Sequence, residues 1–278
     1  MDYNTSPGSD MMGQASGGRM PALFQGKYSA LVLKLVAVIT MLIDHIGAAV
    51  YQQYLYQQGT HFPGAVEALS SNLDTWGIYF IIRAVGRLAF PIYCYLIVEG
   101  FHYTRDKIMY AFRLLLFGLV SEIPFDLAFS QTPFYFVYNN VFFTLLFGLL
   151  AIWSNSEGKK SRSTSKAKWI ILTYVVPLAC MIVAELLNTD YGIAGVVCIF
   201  VMYRLYNNRV LAMAVGVLLL ALLSSPLELV ALLDVPLILF YNGTRGRQLK
   251  YFFYGFYPVH LLILALIARF VVGVAWTW

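Results

Sequence analysis

Ionisable side chains occur inside stretches that are otherwise apolar enough to cross a lipid bilayer. The stretch from Leu31 to Val50 contains Lys34, Asp44 and His45. A charged side chain at the centre of a bilayer costs at least about 2.5 to 3.5 kcal/mol, so such residues usually face a protein interior or a water-filled cavity. Histidine titrates near neutral pH and is the usual group for proton transfer there. His45 is therefore the candidate general base, with helix-to-helix contacts as the alternative role for all three residues.

Helix geometry separates the roles of these three residues. Lys34 and His45 are eleven positions apart in the sequence and fall within roughly 20° of each other on one helix face. Asp44 points sideways from that face and is poorly placed to orient His45. We expect Asp44 to act through the local field or by holding a cationic acceptor.

Further ionisable and amide side chains are predicted near the same depth. Arg83 and Arg87 form an i, i+4 pair on the second predicted span, and Glu122 and Asp126 form another on the third. His260 lies near the middle of the last span, either as a second base, as a donor to developing charge, or as a core histidine. The candidate acceptor-binding residues are Glu122, Asp126, Asn139, Asn140 and Asp190. The alternative is that pairs such as Arg83 or Arg87 with Glu122 only fix the helix register.

The composition identifies the elements that must position these residues. Hydrophobic residues make up 60% of the 278 residues and charged residues only 12%, which is typical of a polytopic membrane protein. The sequence predicts an all-α integral membrane bundle of about nine transmembrane helices. These are predicted at 31–50, 76–100, 109–129, 135–153, 169–187, 191–203, 210–224, 227–241 and 251–275.

The distribution of Lys and Arg predicts the orientation. Alternate loops contain Arg19 and Lys27, Arg105 and Lys107, the five basic residues of 159–168, Arg204 and Arg209, and the three of 245–250, whereas the intervening loops contain none. The positive-inside rule then places the N-terminus in the cytosol and the C-terminus outside the cytoplasm. Residues 1–28 are predicted to be a flexible cytosolic tail and residues 29–278 a single transmembrane domain. Basic charge spread over membrane-side loops argues against nucleic-acid binding.

Several motifs resemble those of one family of membrane proteins. They are KLVAVITMLIDHIG (34–47), GRLAFPIYCYLIVEGFHYTR (86–105), RLLLFGLVSEIPFDLAF (113–129), NNVFFTLLFGLL (139–150), DYGIAGV (190–196) and YGFYPVHLLIL (254–264). In this order they resemble the TraX family, which is related to the transmembrane acyltransferases. The namesake of this family acetylates the N-terminal amine of conjugative pilin. The resemblance therefore implies a bacterial multi-pass acetyltransferase of the cytoplasmic membrane, which moves an acetyl group from cytosolic acetyl-CoA to an amine or hydroxyl acceptor reached from the extracytoplasmic half. It also points to His45, the histidine of an early helix.

Coenzyme A carries phosphates, which arginine side chains bind well. The residues expected to bind it are Lys34, Arg83, Arg87, Arg105, Lys107 and Arg113. Neither a phosphate-binding glycine loop nor a metal-ligand spacing occurs, so no metal is expected. The catalytic residues expected are His45, Asp44 and His260.

Several alternatives stay open at this point. The acceptor could be a peptide amine, a sugar or a lipid head group, and transfer could be direct or pass through an acetyl-histidine. The rival functions are a proton-coupled secondary transporter, because buried carboxylates and histidines also form proton relays, and a membrane assembly factor.

Overall fold

The computed structural model describes residues 26–60, 76–247 and 249–277. All named secondary-structure elements in these ranges are helical, and the only β-type pairings among them are two isolated bridges, Tyr28 with Tyr241 and Asn139 with Thr189. The all-α prediction is confirmed for this part of the chain. Most of the predicted N-terminal tail and the stretch 61–75 of the first loop lie outside the described residues.

Six helices in the described ranges are long and apolar enough to cross a membrane, which makes the chain a multi-pass membrane protein. They are α1 (Ala30–Gln57), α2 (Ile78–Tyr103), α3 (Lys107–Phe129), α4 (Val141–Ser161), α5 (Lys166–Leu186) and a last helix, Tyr251–Val272.

Shorter helices connect α5 to this last helix. They are α6 (Gly192–Arg204), α7 (Arg209–Leu223) and a 3-10 helix (Pro226–Leu233) that leads into α8 (Asp234–Leu239); the helix Tyr251–Val272 is therefore α9. A membrane-spanning helix needs about 17 to 25 residues. The prediction of nine full spans is therefore not confirmed, because the sixth to eighth elements are too short to cross unaided.

Capping residues determine where several helices begin. The Asp106 side chain accepts a hydrogen bond from the Met109 amide at 2.8 Å, and the Asn140 side chain accepts one from the Phe142 amide at 3.0 Å. Such caps satisfy amides that the first helical turn leaves without a partner. The predicted start of the fourth span at residue 135 is wrong for this reason: α4 begins at Val141, after its cap, and residues 131–140 form a loop.

The two ends of the bundle are held by different backbone contacts. The Lys27 amide donates to the Phe240 carbonyl at 2.7 Å, at the end where α1 begins and α8 stops. The Thr277 amide donates to the Gln131 carbonyl at 2.9 Å, at the end where α3 stops. The chain segments before α1 and after α9 thus lie at opposite ends of the bundle, and which end faces the cytosol stays a prediction.

Small residues allow the helices to approach closely, as is common in membrane bundles. α6 packs against α2, α4 and α7. Within α6, a Cβ atom added to Gly195 would lie 2.5 Å from Thr144 Cγ2 and 2.8 Å from Phe90 Cζ. Gly195 therefore sets the spacing of α6 from α4 and α2.

Replacing Gly195 with alanine should lower the thermal stability of the protein in detergent. Overpacking a close contact costs about 1 to 3 kcal/mol, which corresponds to a fall in midpoint temperature of roughly 3 °C or more. Gly255→Ala in α9 is the control, because an added Cβ there meets no atom within 4 Å in the described structure. An equal effect of both substitutions, measured by differential scanning fluorimetry, would contradict this packing role.

Candidate functional site

Two histidines from distant parts of the chain meet inside the bundle. His45 Nδ1 lies 2.7 Å from His260 Nε2, and the two ring planes differ by 2°. His45 is the last residue of the regular part of α1, and the six residues after it, Ile46–Tyr51, form a π-helical turn. Such turns often occur at functional sites because they redirect the helix locally. His45 and His260, which the sequence predicted separately, thus form one pair.

Hydrogen bonding fixes the tautomer of this pair. His260 Nδ1 lies 2.7 Å from the Phe256 carbonyl oxygen. A carbonyl only accepts, so His260 Nδ1 carries the proton and His260 Nε2 has the lone pair. His45 Nδ1 must then donate to His260 Nε2, which leaves His45 Nε2 unprotonated. This nitrogen is the one that can accept a proton from a substrate.

An ion network lies beside the histidine pair. Asp44 Oδ2 accepts from Arg83 at 2.5 Å and Asp44 Oδ1 accepts from Arg87 at 2.9 Å. Arg87 also donates to Glu228 at 3.0 Å and to the Tyr191 hydroxyl at 3.2 Å. The suggested pairing of these arginines with Glu122 is wrong, because Asp44 and Glu228 occupy their donors. The network joins α1, α2, the 3-10 helix and the turn before α6.

His45 and all members of the ion network except Glu228 line one cavity of about 410 Å³, which we call the histidine cavity. Asp190 also lines it, and its Oδ1 accepts a hydrogen bond from the Tyr138 hydroxyl at 2.6 Å. Two arginines and two carboxylates line this cavity, so their charges balance when all four are ionised. Asp44 is paired with both arginines, whereas Asp190 makes no ion pair in the described structure. Its wall includes Asp44, His45, Gln52, Arg83, Arg87, Asp190 and Tyr191.

The turn that carries Asp190 has an uncommon backbone. Tyr191 has a φ of +66° and Asn188 a φ of +43°, a region that costs residues other than glycine about 1 to 3 kcal/mol. The Tyr191 ring stacks on Phe90 with centroids 3.7 Å apart. This stacking and the hydrogen bond from Arg87 to the Tyr191 hydroxyl both hold the turn in place. Strain of this kind is often found at functional sites.

A second cavity, of about 360 Å³, lies toward the start of α1. We call it the basic cavity because Lys34, Arg113 and Arg245 line it together with Glu99 and several aromatic rings. Glu99 accepts hydrogen bonds from three tyrosine hydroxyls, at 3.2 Å from Tyr95, 3.0 Å from Tyr206 and 2.7 Å from Tyr241. The aromatic lining includes Tyr103, Tyr110, Phe253 and Tyr254.

The predicted coenzyme A residues fall into three groups in the structure. Lys34 and Arg113 line the basic cavity, whereas Arg83 and Arg87 line the histidine cavity and are occupied by carboxylates. Arg105 and Lys107 line neither cavity; Arg105 is exposed, and Lys107 lies over the Phe101 ring at 4.2 Å. The set is thus not brought together as predicted.

Most of the predicted acceptor residues also lie outside the histidine cavity. Glu122 and Asn140 hydrogen-bond to each other, and Asp126 accepts from the Tyr135 amide at 2.7 Å. The Asn139 side chain donates to the Leu187 carbonyl. These contacts fix the loop before α4. Of the five residues, Asp190 alone is among those that line this cavity, and acceptor binding by the other four stays a prediction.

Four side chains separate the two cavities. Met41, Tyr93, Val141 and Tyr257 line both of them, so they form a partition. The Tyr257 ring lies edge-on to His45, with centroids 5.9 Å apart. His45 therefore stands directly at the partition, on the side of the histidine cavity.

Sequence reasoning missed several residues of these cavities. The sequence presents Arg245 only as one of the basic residues of loop 245–250. Its position in that loop was the one signal that could have pointed to the basic cavity. Nothing in the sequence marks Tyr93, Tyr138 and Tyr257 as cavity residues, because aromatic residues are common in the spans of this chain.

Comparison with known proteins assigns the chain to a family. The TraX protein family matches residues 29–268. A probable fimbrial assembly protein FimC, serogroup H1, of Dichelobacter nodosus is 31% identical over 263 residues, covering 85% of this chain and 94% of the relative. An uncharacterized protein of Rickettsia prowazekii (strain Madrid E) is 28% identical over 122 residues, covering 44% of this chain and 36% of that protein.

No solved structure matches the chain significantly. The match to the TraX protein family covers most of the chain, including both histidines, Asp44 and Asp190. The protein therefore belongs to the TraX family.

Proposed function

We propose that this protein is a membrane acetyltransferase that moves an acetyl group from acetyl-CoA to the N-terminal amine of a pilin-like peptide. The observation that carries the proposal is the position of His45, whose Nε2 is unprotonated, at the partition between a basic cavity and a cavity in which the Asp190 carboxylate makes no ion pair in the described structure. The acetyl end of a donor bound in the basic cavity must pass the partition to meet this residue and an amine in the histidine cavity. We place the protein in the bacterial cytoplasmic membrane, with the basic cavity facing the cytosol.

The basic cavity suits the donor. Lys34, Arg113 and Arg245 supply positive charge for the phosphates of coenzyme A, and arginine matches phosphate geometry especially well. Aromatic rings such as Tyr254 and Phe253 offer faces on which an adenine base can stack. The acetylated end of the donor would then point toward the partition.

The histidine cavity suits an amine. Asp190, a carboxylate of the wall that makes no ion pair in the described structure, favours an ammonium group on arrival. A peptide α-amine has a pKa of about 7.7 to 8.0, compared with about 10.4 for a lysine side chain. At pH 7 roughly a tenth to a sixth of such α-amines are neutral, compared with well under 1% of lysine amines. A histidine base can then take the proton that the neutral amine loses during attack. The fimbrial description of the Dichelobacter nodosus relative also favours a pilin-like acceptor over a sugar or lipid.

The chemistry needs one proton carrier. The amine nitrogen attacks the thioester carbonyl carbon while His45 Nε2 takes an N–H proton, and His260 Nε2 continues to accept from His45 Nδ1–H. The C–S bond then breaks, and the leaving thiolate takes the proton from His45. The alternative route, in which His45 Nε2 carries the acetyl group first, uses the same nitrogen and the same partition.

His45→Ala should abolish acetyl transfer while the protein stays folded. Removing a general base typically costs about 10² to 10⁴ in rate, measured as CoA release from acetyl-CoA by the purified protein with a peptide acceptor. His102→Ala is the matched control, because His102 is exposed and stacks on Tyr206 at 4.1 Å, outside both cavities. Full activity of folded His45→Ala would refute the assignment, and ion-coupled uptake into liposomes without CoA release would favour a transporter.

His260 is proposed as a positioning residue that fixes the His45 tautomer. His260→Ala should lower kcat by roughly 10-fold or more, because His45 then loses the acceptor that keeps Nε2 unprotonated. His260→Gln supplies an amide oxygen that can accept the same hydrogen bond and should recover part of the loss. Equal activities of the alanine and glutamine variants would contradict this role.

Arg113→Gln and Arg245→Gln should each raise the KM for acetyl-CoA and leave the KM for the acceptor nearly unchanged. Loss of one charged hydrogen bond to a phosphate is worth about 1.5 to 3 kcal/mol, so a rise of about tenfold is expected. Arg105→Gln is the control, because Arg105 is exposed and lies outside the basic cavity. A larger effect of the Arg105 substitution would place the donor elsewhere.

A further inference from the structure

A third cavity adjoins the histidine cavity. Its volume is about 430 Å³, within the range of ligand sites in proteins. Tyr138, Tyr191 and Ser224 line both cavities, so the two are neighbours with a common wall. We call it the loop cavity, because it is formed by the loop before α4, the turn before α6 and the end of α7; its further lining includes Tyr135, Val137, Glu185, Ile193 and Leu223.

The loop cavity combines apolar side chains with one carboxylate. Val137, Ile193 and Leu223 contribute apolar surface, and Leu223 remains 48% exposed. Glu185 is held in place because its Oε2 accepts from the Ile193 amide at 2.9 Å. Neither lysine nor arginine is among the residues that line this cavity in the described structure. Asn188, Thr189 and Ser224 add polar groups to the lining. The cavity therefore favours an occupant that has both apolar and hydrogen-bonding parts and is not anionic.

The hydrogen bond between Tyr138 and Asp190 lies where the two cavities adjoin, which we call the junction. Tyr138, which lines both cavities, donates its hydroxyl hydrogen bond to Asp190 at 2.6 Å. An ammonium group reaching Asp190 would compete for this carboxylate, since charge-assisted hydrogen bonds are stronger than neutral ones. A substrate amine bound at Asp190 would thus have the rest of its molecule next to the shared wall.

We propose that the loop cavity is a subsite for the apolar side chains that follow the acceptor amine of a peptide, an inference that rests on the proposed function. A peptide whose N-terminus lies in the histidine cavity can continue through the junction and place its next residues against Val137, Ile193 and Leu223. A hexosamine has no apolar side chain to place against these three residues. A phosphate head group would meet the Glu185 carboxylate without a compensating cation among the residues that line this cavity.

Acceptor kinetics of the full chain in lipid nanodiscs test the subsite. The acceptors are alaninamide, which is too short to reach the loop cavity, alanyl-leucyl-leucinamide, which reaches it, and glucosamine. With acetyl-CoA as donor, the KM for the tripeptide amide should be at least about tenfold below that for alaninamide.

Two adjacent leucines provide a matched pair of variants. Leu223→Ala should raise the KM for the tripeptide amide about fivefold, because it removes apolar contact, and should leave its kcat and the KM for alaninamide unchanged. Leu222→Ala should change neither KM, because Leu222 is 79% exposed and does not line the loop cavity. Val137→Ala, in a different element, should behave like Leu223→Ala.

The possible failures are distinguishable. Equal KM values for alaninamide and the tripeptide amide, equal effects of the two leucine variants, or preferred use of glucosamine would overturn the subsite while CoA release still supported the acetyltransferase. Absence of CoA release with every acceptor would contradict the proposed function, and the subsite with it.

Discussion

The buried pairing of Asp44 with Arg83 and Arg87 is the constraint on which the rest of the site depends. These side chains are only 10%, 23% and 13% exposed, and Glu228, which binds Arg87, is fully buried. Removing charges from water costs several kcal/mol per ion unless close partners and hydrogen bonds compensate. Breaking one contact would leave an uncompensated charge, so the network holds α1, α2 and the 3-10 helix in one register. Because His45 follows Asp44 directly, that register also sets the direction of the His45 ring.

The site as a whole follows from three elements that meet at His45. α1 supplies the ring, α9 supplies the His260 acceptor that fixes its tautomer, and the partition of Met41, Tyr93, Val141 and Tyr257 divides the space on either side. The two spaces differ in charge: three basic side chains and one carboxylate line the basic cavity, whereas two arginines and two carboxylates line the histidine cavity. Such a division lets a site bind an anionic donor and a cationic acceptor without direct attraction between the two.

The sequence predicted the class of fold, and it singled out the two histidines that the structure brings into contact, because long apolar runs and embedded ionisable residues carry a strong physical signal. It failed where the outcome depends on helix rotation and on distant contacts. The i, i+4 spacing of Arg83 and Arg87 could not show that Asp44 and not Glu122 would face them. Glu122 and Asn140 pair with each other at the start of α4, and their types alone did not separate this role from substrate binding. Arg245 reaches the basic cavity from a loop far along the chain, which no local pattern could reveal.

The central claim is that donor and acceptor meet at His45 from opposite sides of the partition. The direct test uses proteoliposomes in which the protein has a single orientation, with acetyl-CoA on the face of the basic cavity and a membrane-impermeant peptide amine on the other face. The account predicts that the peptide becomes acetylated in this arrangement and that reversing the two substrates gives no product. Acetylation only when both substrates are on the same face would contradict the two-sided arrangement.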